Sequence, residues 1–125
     1  MRLAVIIIGL TLPASADTLS CTFTQECVDA DGCAETTYET QYDYTPTTVS
    51  PTEFLARATR EDINGTAVGV MAKRDGFLRF TAGEFFESAE ETLTVTPSGD
   101  ARLAVLLPDV PMLLSYIGTC QEASS

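Results

Sequence analysis

Eighteen carboxylates, four cysteines and no histidine make up the reactive repertoire of this 125-residue chain. Without histidine, Ser-His and Cys-His activation of a nucleophile is excluded, and so is the commonest metal ligand. Lys73 is the sole lysine, and a Ser–Lys dyad would need a serine beside it that the sequence does not locate. Glu84/Glu87 and Glu90/Glu91 carry the groups used in acid–base catalysis. Nothing in the sequence puts either pair in a cleft, so both read as solvated hairpin charges. No catalytic residue is expected.

The cysteines Cys21, Cys27, Cys33 and Cys120 form no Cys-x-x-Cys motif, which leaves thiol–disulfide exchange without a site. Their spacing also lacks the close pairs that four-thiolate zinc requires. An even count reads instead as two disulfides. Of the three connectivities, Cys21–Cys120 with Cys27–Cys33 is favoured. The first would tie the opening strand to the closing one, worth about 4–5 kcal/mol by chain entropy. The second would close the acidic loop Val28–Gly32.

Asp29-x-Asp31-Gly32 hints at calcium, but setting Gly32 at the turn puts Cys27 first and Tyr38 last, where acids belong. The EF-hand pattern fails, leaving an irregular calcium site as the alternative; no metal-binding or cofactor-binding residue is expected. Asn64-Gly65-Thr66 matches a glycosylation acceptor and reads first as a turn. Tyr38, Tyr42 and Tyr44 share one strand face, core in the first reading and a binding surface in the second.

These residues must be positioned by strands. Leu19, Cys21 and Phe23 alternate with Ser20, Thr22 and Thr24; Thr36, Tyr38, Thr40, Tyr42 and Tyr44 alternate with Glu35 to Asp43. Period two with Thr and Tyr enrichment marks half-buried strands. Asn64-Gly65 separates Phe54–Ile63 from Thr66–Arg74, and Asp75-Gly76 separates that strand from Phe77–Thr81, both dipeptides supplying positive φ for tight hairpins. Glu84–Glu87 follows a weaker break at Ala82-Gly83. Thr92–Thr96 and Ala101–Leu107 flank Pro97–Asp100, and Met112–Thr119 closes the chain. Within Phe54–Glu61, Arg57–Glu61 is also compatible with one or two helical turns, and Thr45–Pro51 reads as a surface loop. Leu103–Leu107 and Met112–Ile117 are apolar on both faces, as in central strands or a packed seam. The expected fold is all-β: a small antiparallel barrel or sandwich of seven to eight strands, disulfide-tied.

Arg2, the apolar run Leu3–Leu12 and Pro13-Ala14-Ser15-Ala16 have the form of a secretory signal peptide, predicting cleavage between Ala16 and Asp17. The run is half the length a membrane span needs. A lipoprotein signal ending at Cys21 is disfavoured by Leu19 and Asp17. The expected domain organisation is therefore a signal peptide over 1–16 and one exported β domain over 17–125. All eighteen acids lie from Asp17 onward and Arg2 is the one charge before it, so cleavage would change the net charge from −11 to −12. Asp17–Ala56 contains eight acids and no Lys or Arg. That balance argues against nucleic acid and against anionic lipid, and is compatible with a cationic protein partner or with solubility alone.

Cys21-Thr22-Phe23-Thr24, Cys27 and Cys33, with Ser115-Tyr116-Ile117-Gly118-Thr119-Cys120 at the end, resemble a group of small exported proteins of alphaproteobacteria. The resemblance spans most of the chain after Ala16 and implies a periplasmic location with no activity attached. A more distant resemblance is to periplasmic inhibitors of c-type lysozyme, small disulfide-tied barrels with a Ser-Gly-x-Gly-Ala-Arg-Tyr loop. Here Pro97-Ser98-Gly99-Asp100-Ala101-Arg102-Leu103 lacks the second glycine and the tyrosine, and the chain has no tryptophan. Inhibition is not carried over. The expectation is a non-enzymatic exported β domain, periplasmic or secreted, with a binding or envelope role. The alternatives are an inhibitor of a cationic envelope enzyme and a carrier of a small apolar ligand.

Overall fold

A computed structural model of the chain describes residues 17–29, 31–83, 89–107 and 112–124. The expected signal peptide and its cleavage point at Ala16, and the Glu84–Glu87 strand, lie outside them. Nine strands run in chain order: β1 (Asp17–Val28), β2 (Cys33–Tyr44), β3 (Thr47–Ser50), β4 (Glu53–Asp62), β5 (Gly65–Arg74), β6 (Phe77–Ala82), β7 (Glu90–Val95), β8 (Asp100–Leu107) and β9 (Met112–Ser124). Among the described residues there is no helix, and none long and apolar enough to cross a membrane.

Strands consecutive in the chain pair antiparallel except β2 and β3, β9 returns to β1, and β2 pairs with β4. The result is a closed eight-stranded up-and-down barrel with β3 as one extra short strand. The closing ladder joins β2 to β4 over Gln41–Tyr44 only, so Cys33–Thr40 of β2 has no ladder partner on that side.

The expected surface loop Thr45–Pro51 is corrected by β3. Gln41↔Glu61 and Tyr44↔Ala58 on β2–β4 continue in the same register as Thr47↔Leu55 and Thr48↔Phe54 on β3–β4. β2 and β3 therefore follow one course along β4, broken at Thr45-Pro46, where proline has no N–H to give the ladder. The helical alternative for Arg57–Glu61 also gives way. That segment is extended, with Ala56 and Ala58 buried on the inner face and Arg57 exposed on the outer.

Alternation sets the core, because successive side chains leave a strand on opposite faces. Leu19, Phe23, Tyr42, Met71, Phe80, Leu93 and Leu103 are almost wholly buried and fill the middle of the barrel. The outer faces of β8 and β9 have no seam among the described residues. Leu106 and Leu113 stand opposite each other there, each about two-fifths exposed (41% and 42%).

Asp75 and Gly76 both take positive φ, as a tight hairpin with matching twist requires. At the β4–β5 hairpin the turn residues are Ile63 and Asn64 instead, because Asp62 pairs with Gly65. The Asp62 carboxylate accepts the N–H groups of Asn64 and Gly65 at 2.8 and 3.0 Å and holds that turn closed.

Disulfides join Cys21 to Cys120 and Cys27 to Cys33, both directly opposed strand residues with Cα atoms 4.0 Å apart. They fit an oxidising compartment. The first sits in the core between β1 and β9; the second staples the β1–β2 hairpin.

Candidate functional site: a charged recess at the barrel mouth

One end of the barrel is formed by the start of β2 and β5, the finish of β1 and β4, and the adjoining parts of β7, β8 and β9. There the inner face changes from apolar to charged. On β4 the inward row Ala56, Ala58 continues into Arg60 and Asp62; on β7 the row Val95, Leu93 continues into Glu91. Glu91 is only 7% exposed.

Glu26 reaches this face by an irregularity. Phe23 faces inward, so strict alternation would aim Gln25 inward and Glu26 out. The register of β1 shifts between Phe23 and Gln25 against both neighbours, and Glu26 comes to stand opposite Tyr116. Bulges re-aim side chains in this way.

The groups are tightly coupled. Arg60 donates from Nε to Glu91 Oε1 at 2.8 Å and from Nη2 to Oε2 at 2.7 Å, a two-pronged pair. Its Nη1 lies 3.2 Å from Asp62 Oδ2 and 3.5 Å from the Gly65 carbonyl. Tyr38 donates its hydroxyl to Asp62, and Tyr116 donates to Glu26 at 2.6 Å. The Tyr38 and Tyr116 rings are 4.9 Å apart, with Phe23 about 6 Å (6.1 and 6.0) beneath both. Above them opens a recess of about 420 Å³, with Val105, Leu114 and Ala89 as its apolar wall.

Electrostatics follow from this crowding. Hydrogen bonding to Glu91 holds Arg60 above its ordinary value despite burial. Burial pushes Asp62 up, but the Tyr38 hydroxyl, the two turn N–H groups and Arg60 outweigh it, leaving its carboxyl below the usual range. Tyr38 and Tyr116 are both raised, first by burial and then by the carboxylates that accept their protons. With three carboxylates against one guanidinium, the charged side chains of the recess sum to −2. The set can bind and orient; it offers no activated nucleophile.

The residues singled out in the sequence are dispersed. Tyr42 and Tyr44 are core, whereas Tyr38 is half-buried on the recess floor. Tyr44 stacks on Phe54 and donates to Glu122 at 3.4 Å, far along β2 from Tyr38. Glu90 is exposed, but Glu91 is not the solvated hairpin charge expected, because it occupies the inward register of β7. Asp29 is bound to β9 instead: its Oδ1 accepts the Leu113 N–H at 2.9 Å, and its own N–H reaches the Leu113 carbonyl. Among the described residues no group of three His, Cys, Asp or Glu comes close enough to hold a metal ion.

In the sequence, none of Arg60, Asp62, Glu26 and Tyr116 is singled out as a site residue, and Glu91 reads only as a solvated charge. For Arg60, Asp62 and Glu91 a signal existed, namely a charge falling on the inward parity of a strand; for Glu26 the bulge conceals it. No family model, curated protein or solved structure matches this chain.

Proposed function

We propose that the protein is an exported, non-enzymatic β-barrel that binds a ligand or partner at the mouth recess. It would act in the periplasm or outside the cell after loss of residues 1–16. The observation that carries this reading is the cost of the recess floor. A buried ion pair is commonly no more stabilising than packed apolar side chains of the same size. Here Arg60, Asp62 and Glu91 are withdrawn from water, yet 420 Å³ of open space is left beside them. Recognition accounts for both features together.

The apolar-carrier alternative is weakened by the side chains that fill the middle of the barrel and by the charge of the space that remains. An inhibitor of a cationic envelope enzyme keeps one supporting feature, the run of eight acids and no base in Asp17–Ala56. Inhibition of a lysozyme by micromolar excess of the pure protein would favour it, and no inhibition ends it.

The recess reading is tested by crosslinked capture from a periplasmic extract, comparing the wild type with Leu114→Trp, which fills the recess from β9. Partners held by the wild type and lost by the variant support it. Equal capture by two folded proteins overturns it.

A further inference from the structure

Resting on the recess reading, we infer that the mouth of the barrel is a site for an alkylammonium group, its charge held by Glu26 and its methylenes against Val105 and Leu114. The charge sign comes first. All three guanidinium nitrogens of Arg60 already contact Glu91, Asp62 or the Gly65 carbonyl, and the carboxylates around them leave the recess at −2, which repels an anion. Glu26 by contrast accepts one hydrogen bond, from Tyr116, and among the described residues no Lys or Arg pairs with it. The neighbouring faces of Tyr38 and Tyr116 add the quadrupole attraction that aromatic rings offer a cation.

A second, independent feature marks the floor. Tyr42 is the cross-strand partner of Arg60, and its hydroxyl and the Thr40 Oγ1 beside it are fully buried with no partner outside the two of them. Buried polar atoms are nearly always fully paired, so these two leave hydrogen-bonding capacity unused one register position from the recess lining, beside Arg60. A bare metal ion is the poorer occupant, because the carboxylates do not converge on one point. Lysine side chains and free amines share the chemistry that fits.

The test uses the disulfide-bonded protein and follows the tyrosine ring signals by NMR. Probes are n-butylammonium, butyrate and n-butanol. Tyr38 and Tyr116 signals should shift saturably with butylammonium, at least tenfold more tightly than with butanol and not at all with butyrate. Tyr44, against Glu122 and Phe54, serves as the internal control and stays still. Glu26→Gln should weaken binding about tenfold, while the exposed Glu39→Gln leaves it unchanged; an unaltered cooperative melt shows that each variant is folded. Nα-acetyl-lysine methylamide separates the sources, binding more tightly than butylammonium if the guest is a protein lysine and less tightly if it is a free amine. No saturable shift, or an unchanged affinity in Glu26→Gln, overturns the inference. Equal binding of butyrate overturns the ammonium assignment while leaving the recess as a binding site, whereas capture unaffected by Leu114→Trp removes the recess reading itself.

Discussion

Tyr116 and Glu26 stand opposite each other on β9 and β1, hydroxyl 2.6 Å from carboxylate, and they meet only because β1 slips register after Phe23. The same pattern of a buried ring reaching a carboxylate recurs at Tyr38 with Asp62 and at Tyr44 with Glu122. A hydroxyl that donates to a carboxylate resists losing its proton.

All four tyrosines of the chain are raised above the ordinary value of about 10, each first by burial. The unfolded chain therefore loses these protons before the folded one. Stability from the neutral phenols is complete below about pH 10 and drains away as pH climbs toward the folded values. Tyrosinate absorbance should stay absent past pH 10 and then rise in one cooperative step with loss of β-sheet circular dichroism. A reversible rise near pH 10 with intact circular dichroism would contradict the burial.

Asp62 sets the acid side. Burial acts against its charge, but Tyr38, two N–H groups and Arg60 prevail and depress its pKa. Its contribution is present above the unfolded value of about 3.9 and is lost as pH falls through the folded one. Urea midpoints measured from pH 5 downward should fall less steeply in Asp62→Asn than in the wild type. Parallel curves would show that Asp62 is not the linked group.

The two disulfides close loops of very different size, with sequence separations of 99 and 6. Chain entropy predicts about 4–5 kcal/mol for the long loop and about 2 for the short one. Urea denaturation of Cys21→Ala/Cys120→Ala should show the greater loss, increased further by the core cavity, against Cys27→Ala/Cys33→Ala. A reversed order would place the main constraint in the β1–β2 hairpin.

Gly118 has no room for a side chain. A Cβ there would collide with the Thr22 carbonyl oxygen and lie 2.6 Å from Phe23 Cα, both backbone atoms of β1. The crowding falls where the register slips, so neither strand can back away without breaking the ladder. Gly118→Ala should cost about 3 kcal/mol or more in urea denaturation, the upper range for overpacking. A cost below 1 kcal/mol would mean that β1 and β9 separate more easily than this packing implies.

The all-β architecture was legible because it rests on local signals: period-two alternation in Leu19–Phe23 and Thr36–Tyr44, and the Asp75-Gly76 turn. β3 was hidden by Pro46 and Pro51, which read as loop although the ladder resumes between them in unchanged register. The recess was hidden for a different reason. Glu91 shares the parity of Leu93 and Val95, which marks it as inward, but that it meets Arg60 of β4 depends on a closure that no local pattern shows. Glu26 was further obscured by a bulge that reverses parity.

Arg60 and Glu91 separate stability from function. Both charges are largely withdrawn from water, with side chains 13% and 7% exposed. Removing one partner strands the other, and such losses run to about 3–5 kcal/mol. Glu91→Leu should therefore be strongly destabilised, with Arg60 left only Asp62 and the Gly65 carbonyl. The double variant Arg60→Met/Glu91→Leu removes both desolvation costs and fills the space with apolar atoms, so its urea midpoint should return to within about 1 kcal/mol of the wild type. If the pair exists for recognition, the rescued barrel will fold as well as the wild type and still lose its captured partners. If it exists for stability, the double variant will remain as weak as Glu91→Leu alone.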